Sequence, residues 1–462
     1  MRAESSARAT LRRGACALAG ALSLVLATVA PSASAGARTP AAATGSWTTY
    51  GGTPTRTAYA ASPPLLPLRV RWRTTGLDGA IYGEPLVYGG RVYVATESDV
   101  AYALDARTGR VLWARTLGRA VPAQSLPCGD IAPSVGVTST MVLDPSLGRL
   151  FVSAATFSHG RVRHVLVGLS LTGRIAFERD LDRPGWDAAA QLQRAGLALD
   201  AGRVLVGFGG NYGDCGRYHG VLVAAPESGR GRILAYQVPT RSGGAIWAPG
   251  GVAVEPNGRI LLATGNSTST TVFDGGDGVL ALSPTLRRVS WFAPEGFVTD
   301  NLEDLDLGST APVLLPGGRV FAIGKAGIAY LLDARRLGGL GGSIAARPVC
   351  YSAGASAFAA GRIIVACPQG ALTALRLAGS HLLGSWQAPV AGTGSPTVAS
   401  GVVWSIGGGT LYGFALGSGR AVAAVPVVGT EHFAAPAAGA GLLVVGGAGA
   451  VEAFGGPGSL PG

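Results

Sequence analysis

The chain has 462 residues and a formal charge of +11, with 48% hydrophobic and only 14% charged residues, and 73 glycines. Its basic residues are scattered singly, with no basic run or basic helix, which argues against nucleic-acid binding. Low charge, abundant glycine and frequent turn signals without helical periodicity suggest an all-β chain of many short strands.

Taken in chain order, residues 1–35 read as a signal peptide to be left out of fold reasoning. Arg2, Arg8, Arg12 and Arg13 make a positive start, residues 15–30 are apolar, and Ala33-Ser34-Ala35 is a small-x-small cleavage site. Cys16 lies at the start of the apolar run rather than after it, so this is not a lipoprotein box. No other stretch is long and apolar enough for a transmembrane segment. The expectation is an exported protein, whether secreted, periplasmic or held at the cell surface. Without residues 1–35 the chain keeps 33 basic and 25 acidic residues, a net +8. Residues 36–67 read as an extended arm lying across the strands beyond it.

From residue 68 a hairpin signature recurs, a glycine turn followed by a short aliphatic strand. It opens at Gly90-Arg91-Val92-Tyr93-Val94 and returns at Gly148-Arg149, Gly202-Arg203, Gly258-Arg259, Gly318-Arg319, Gly361-Arg362, Gly401-Val402 and Gly441-Leu442. Eight copies, roughly 40–60 residues apart, suit the four-stranded blades of a β-propeller. The copy at 102–113 adds Asp105, Thr108 and Gly109 as turn residues, with Trp113 expected on an outer strand against the next blade. The eighth copy ends at Glu452-Ala453-Phe454 without an outer strand. Leu68-Arg69-Val70-Arg71-Trp72-Arg73 is a strand without a blade. That pairing predicts an eight-bladed β-propeller over 68–456, closed by the N-terminal strand, so that no edge is left open; residues 457–462 are a tail.

Four cysteines lie beyond the leader, an even number that predicts two disulfides in an exported chain. Cys350 and Cys367 flank the turn at Ala360-Gly361 and are expected to face each other, which leaves Cys128 with Cys215. No Cys-x-x-Cys-His occurs, so no haem c is expected. One further oddity stands out: of 37 basic residues a single one, Lys325, is lysine. A chain that otherwise uses arginine has placed there a compact ammonium, which a planar guanidinium does not imitate.

The run Ala103, Asp105, Thr108, Gly109, Trp113 resembles the repeat of the pyrroloquinoline-quinone (PQQ) dependent alcohol dehydrogenases, the quinoproteins. Non-catalytic propellers such as outer-membrane assembly lipoproteins carry the same repeat, so it implies fold and not activity. Residues 207–333 resemble the enzymes more closely. Gly244-Ala245-Ile246-Trp247-Ala248-Pro249-Gly250 and Thr264-Gly265-Asn266 are similar to the family's segments for the tryptophan floor under the quinone and for an asparagine metal ligand. Asp214 stands where the family has a glutamate ligand, and His219-Gly220 falls one residue beyond the family's Arg-Gly pair. Glu303-Asp304-Leu305-Asp306 resembles the loop of the catalytic aspartate, and Gly324-Lys325-Ala326-Gly327 the run whose basic residue touches the quinone oxygens. The family's adjacent Cys-Cys pair is missing.

The resemblance implies a quinone resting on Trp247 with His219 nearby, and Ca²⁺ or a lanthanide on Asp214, Asn266, Asp304 and Asp306. It further implies Asp304 as the base that takes a hydroxyl proton from an alcohol or sugar, and Lys325 as donor to the quinone oxygen. Two readings stay open: a quinone- and metal-binding oxidoreductase, and a non-catalytic scaffold or binding protein whose protein partner is unknown. The first requires these side chains to converge on one axial pocket.

Overall fold

A computed structural model describes residues 45–390, 392 and 394–457. The leader read over 1–35 and most of the tail lie outside the described residues. Eight small antiparallel sheets succeed one another along the chain as the blades of an eight-bladed β-propeller, and the one α-helix among the described residues is the six-residue Phe297–Leu302.

The recurring hairpin signature marks the step from the first to the second strand of each blade. In the first blade Leu86–Tyr88, Arg91–Ala95, Val100–Asp105 and Val111–Thr116 pair in that order, with Val87 opposite Val92 and Ala103 opposite Trp113. The turn between the third and fourth strands is held by Asp105, whose Oδ1 accepts from the amides of Arg107 (3.0 Å) and Thr108 (2.9 Å), while Gly109 takes φ 74°. Residues of the two faces of a strand alternate, so each blade packs on both neighbours. Tyr93, Ala101 and Ala103 of the first blade, for example, share a buried cluster with Val152, Val165 and Val167 of the second.

Tryptophans lock successive blades. Trp113 donates its indole N–H to Leu171 O (3.0 Å) in the next blade, and its ring covers Gly173, where a Cβ would lie 2.6 Å from the indole. Trp72 repeats the contact on Ala106 O (2.8 Å) and Gly109, and Trp386 on Leu416 O (2.9 Å) and Gly419. The glycine of each turn is therefore required twice, for its positive φ and for the ring that sits on it.

Ring closure matches the pattern expected from the sequence. Leu442–Gly455 pairs through its first residues with Ala437–Gly439 and through 448–455 with Arg69–Ala80. The eighth blade is thus completed by a strand from the other end of the chain.

Residues 45–60 make a circuit of the first strands. Their carbonyls accept from Ala440, Val87, Leu143, Val254, Leu314, Phe358 and Val398, one amide in each of seven blades, and Thr49 Oγ1 donates to Leu197 O beside the remaining one. The turn of this circuit is fixed by Arg56, 1% exposed, which donates to Val252 O, Thr49 Oγ1, Tyr50 O and Leu197 O. A buried arginine is tolerated when its donors are used, as here.

Both disulfides form with the expected partners, Cys128 with Cys215 (Cα–Cα 5.9 Å) and Cys350 with Cys367 (5.7 Å). The reason for the second differs from the expectation. The turn at Ala360-Gly361 joins Ala357–Ala359 to Arg362–Cys367 within one blade, whereas Cys350 lies just past Ala345–Pro348, the outer strand of the preceding blade. The bond ties two blades together; it does not cross a hairpin.

Candidate functional site

In a propeller blade the turn between the second and third strands and the link to the next blade emerge on the same side. A cavity of about 560 Å³ opens there, and its lining comes from those two classes of segment. Asp214, Asn266 and Lys325 belong to second-to-third turns. Asp130, Arg194, Trp247, Asp304, Asp306 and Phe433 belong to links between blades. The volume is within the usual range for small-molecule sites.

Six of the seven residues singled out in the sequence line this cavity: Asp214, Trp247, Asn266, Asp304, Asp306 and Lys325. His219 does not. It lies in an extended stretch that bridges Gly243, where successive side chains alternate, and Tyr218 takes the cavity side. The His219 Nδ1 is buried without a partner, and burial together with Arg217 lowers its pKa.

Lys325 is the hub of one wall. Its Nζ lies 2.9 Å from Asp304 Oδ1 and 2.8 Å from Asp306 Oδ2, and 5.6 Å from the centre of the Trp247 ring. Asn266 ties the same two carboxylates from the next turn: its Nδ2 donates to Asp304 Oδ1 (2.9 Å) and its backbone N to Asp306 Oδ1 (2.6 Å). The close approach needs glycine on both sides. A Cβ at Gly265 would lie 2.6 Å from Asp306 Oδ1 and 3.0 Å from Trp247 Nε1, and one at Gly324 2.2 Å from Asp306 O. Thus Thr-Gly-Asn and Gly-Lys are packing units as well as donors.

The two aspartates differ in environment. The Asp306 side chain is 8% exposed and both its oxygens are engaged; burial pushes its pKa up and Lys325 pulls it back in part. Asp304 is 68% exposed at the side chain, and its Oδ2 carries no hydrogen bond among the described residues. Its backbone sits at φ 56°, a conformation costly for a non-glycine residue and concentrated at functional sites. For Lys325, burial acts to lower the pKa, but the charges and hydrogen bonds of Asp306 and Asp304 outweigh it and hold it above its ordinary range. An ammonium has three donors; two serve the aspartates and one is left for the cavity.

On the far side, Asp214 also has a left-handed backbone (φ 52°) and its Oδ1 accepts from Tyr218 OH (2.6 Å). The Cys128–Cys215 bond holds this loop to the segment bearing Asp130. Among the described residues no three His, Cys, Asp or Glu side chains are grouped to hold a metal by themselves. Oxygen donors are nevertheless present: Asn266 Oδ1 is buried without a partner, and Asp214 and Asp304 line the same space.

The site also holds residues that sequence reasoning passed over. Arg194 stands 5.1 Å from the Trp247 ring centre and 4.2 Å from that of Phe433, and His432 Nε2 lies 3.6 Å from Asp130 Oδ2. Nothing in the sequence separates Arg194 from the other arginines, and His432-Phe433 lies in a link with no repeat signature.

Comparison with known proteins accords with this architecture. Residues 32–164 match the family described as outer membrane protein assembly factor BamB. A polyvinylalcohol dehydrogenase of Pseudomonas sp. is 27% identical over 250 residues, 48% of this chain and 36% of that protein. The match therefore spans about a third of the curated relative's length. Among solved structures, the quinohemoprotein alcohol dehydrogenase from Comamonas testosteroni superposes with a TM-score of 0.70 at 15% identity, covering 91% of this chain and 82% of its own. A europium-containing methanol dehydrogenase gives 0.69 at 14%, covering 89% and 98%. At these identities the structural likeness establishes the fold. The repeat, the eight blades and these matches together make the chain a PQQ-type β-propeller repeat protein that resembles the quinoprotein alcohol dehydrogenases.

Proposed function

We propose that this is an exported oxidoreductase that binds a quinone and a hard cation in the axial cavity and oxidises an alcohol or sugar. The observation that carries the reading is the convergence of Trp247, Asn266, Asp304, Asp306 and Lys325 on one cavity, with the Lys325 ammonium within hydrogen-bond distance of Asp304. The two disulfides suit an oxidising compartment. The similarity to a polyvinylalcohol dehydrogenase and to alcohol dehydrogenases supports an alcohol as substrate.

The residues fit PQQ and a cation. Trp247 offers a flat face to a planar ring. The partnerless Asn266 Oδ1, with a carboxylate oxygen of Asp214, offers oxygen donors of the kind that Ca²⁺ or a lanthanide takes, and Asp304 lines the same space. Asp306 is a weaker donor for a cation, because both of its oxygens are in use. The quinone, when bound, supplies the acceptor for the two electrons and hydrogen that leave the alcohol carbon.

The chain's own side chains do the rest. Asp304 receives the hydroxyl proton at Oδ2, the oxygen not engaged by Lys325 and Asn266. Lys325 turns its third N–H to the cavity, where an oxygen gaining negative charge is stabilised by a fixed donor. Asp306 keeps that ammonium in place from below, and Asn266 orients Asp304 through Nδ2.

The second reading, a non-catalytic propeller that binds a protein, is favoured by the match to the assembly-factor family. Titration of purified protein with PQQ plus Ca²⁺ or La³⁺, followed by dye reduction with alcohols and sugars, separates the two. Quinone-dependent turnover is expected. No quinone binding at micromolar concentration would leave the scaffold.

A further inference from the structure

We propose that Asp99 and Glu97 hold a hard divalent cation of the Ca²⁺ class inside the first blade, at a site separate from the axial cavity. Neither residue lines that cavity, and the inference stands apart from the oxidoreductase reading.

Both residues lie in the turn between the second and third strands of the blade, Arg91–Ala95 and Val100–Asp105. Asp99 is 0% and Glu97 3% exposed. Both carboxylate oxygens of Asp99, and Oε1 of Glu97, are shut off from solvent without a hydrogen-bond partner among the described residues. Buried carboxylates are hydrogen-bonded, paired with a cation or bound to metal. Asp99 has neither of the first two.

The same position in the fourth blade shows the usual arrangement. Asp277, immediately before Gly278–Leu282, has the same left-handed backbone (φ 52°, against 58° at Asp99) and is equally buried. Its Oδ1 accepts from Leu307 N (2.6 Å) in the link to the next blade, and only its Oδ2 lacks a partner. In the first blade the link gives its amide to Glu97 instead: Gly136 N donates to Glu97 Oε2 (2.7 Å). Asp99 receives none. A left-handed aspartate with no donor to hold it is a costly choice for a buried turn.

The link is bare where it passes these carboxylates. A Cβ at Gly136 would lie 2.7 Å from Asp99 Oδ1 and 2.8 Å from Glu97 O, and one at Gly118 3.7 Å from Asp99 Oδ2. Thr138 Oγ1, in a residue 3% exposed, is also buried without a hydrogen-bond partner, and it stands close enough to the Glu97 carboxylate to act against the rise of its pKa. Three carboxylate oxygens and a hydroxyl thus gather round Gly136. All are hard donors, of the kind Ca²⁺ takes together with backbone oxygens and water. Burial, with the charge of Glu97, raises the Asp99 pKa to about 8, and burial raises that of Glu97 to about 7. A divalent charge offsets the cost of ionising both.

Gly118 and Gly136 are the two feet of this link. Val121–Pro122 and Ser134–Val135 pair between them, and Cys128 and Asp130 lie beyond those strands. The cation therefore fixes the base of an excursion whose Asp130 lines the axial cavity and whose Cys128 is bonded to Cys215.

The test titrates Ca²⁺ into full-length, quinone-free protein stripped with chelator, followed by calorimetry and by urea unfolding. Asp99→Asn and Glu97→Gln each remove a ligand charge with little change of shape. Asp214→Asn combined with Asp304→Asn disables the carboxylates of the axial cavity. Wild type and this axial double variant are expected to bind Ca²⁺ with a Kd of about 1 mM or tighter, and Ca²⁺ to raise their urea midpoints. Asp99→Asn is expected to weaken that binding at least about tenfold and to abolish the midpoint shift, and Glu97→Gln to weaken it too. Binding unchanged in Asp99→Asn and Glu97→Gln, binding lost only in the axial double variant, or no Ca²⁺ binding by wild type overturns the proposal. Should Asp99→Asn not fold, Glu97→Gln, which keeps an acceptor for Gly136 N, carries the test.

Discussion

Two cations stand over one tryptophan, and they are built in opposite ways. Lys325 is locked: two carboxylates hold its ammonium, an asparagine braces both carboxylates, and glycines at 265 and 324 let the backbones close in. Arg194 is loose in the electrostatic sense: it lies over two aromatic faces and makes no hydrogen bond or ion pair among the described residues. A satisfied network is a finished part of the scaffold, whereas an unpaired cation is held by packing alone. The Lys325 wall thus reads as the part that positions chemistry, and the Arg194 wall as a packed boundary of the cavity.

The largest expected effect falls on the exposed member of the locked wall. Asp304→Asn should keep the contacts at Oδ1 and remove the base, lowering kcat by about 10³-fold in quinone-dependent dye reduction. A loss of less than tenfold would move the base elsewhere. Asp306→Ala strikes the buried member. It leaves the Lys325 ammonium short of one partner and the Asn266 amide without an acceptor, and the unfolding free energy should fall by about 3 kcal/mol in urea titration. Lys325→Arg is smaller and more diagnostic. The guanidinium can still pair with both aspartates, so urea stability should change by less than about 1 kcal/mol, while turnover drops about 30-fold because a planar fork does not aim a donor as the ammonium does. Unchanged turnover would make Lys325 purely structural.

Legibility in the sequence divides along the same line. The blades were legible because each repeat spells its own turn, as Asp105, Thr108 and Gly109 do, and because a glycine that must carry a tryptophan cannot drift. Closure was legible from a strand at 68–73 without a blade and a blade without a strand. The Lys325 wall was legible because its parts are motifs of fixed spacing and its cation was the one lysine. The Arg194 wall was not. Its guanidinium is one of many, and its clamp joins residues 194, 247 and 433, which only the ring brings together. The rationale for Cys350–Cys367 was misjudged for a related reason: local turn chemistry suggested a hairpin, and the contact is between blades.

The smallest expected effect is the one whose sign separates the walls. Replacing a paired charge costs stability, but replacing an unpaired, part-buried one relieves a desolvation penalty. Arg194→Met keeps bulk between Trp247 and Phe433 and removes the charge. Lost cation–π attraction offsets part of the gain, so ligand-free protein should be more stable than wild type by about 1 kcal/mol in urea. If Arg194→Met instead destabilises the ligand-free protein as Asp306→Ala does, both walls are scaffold and the contrast between them fails.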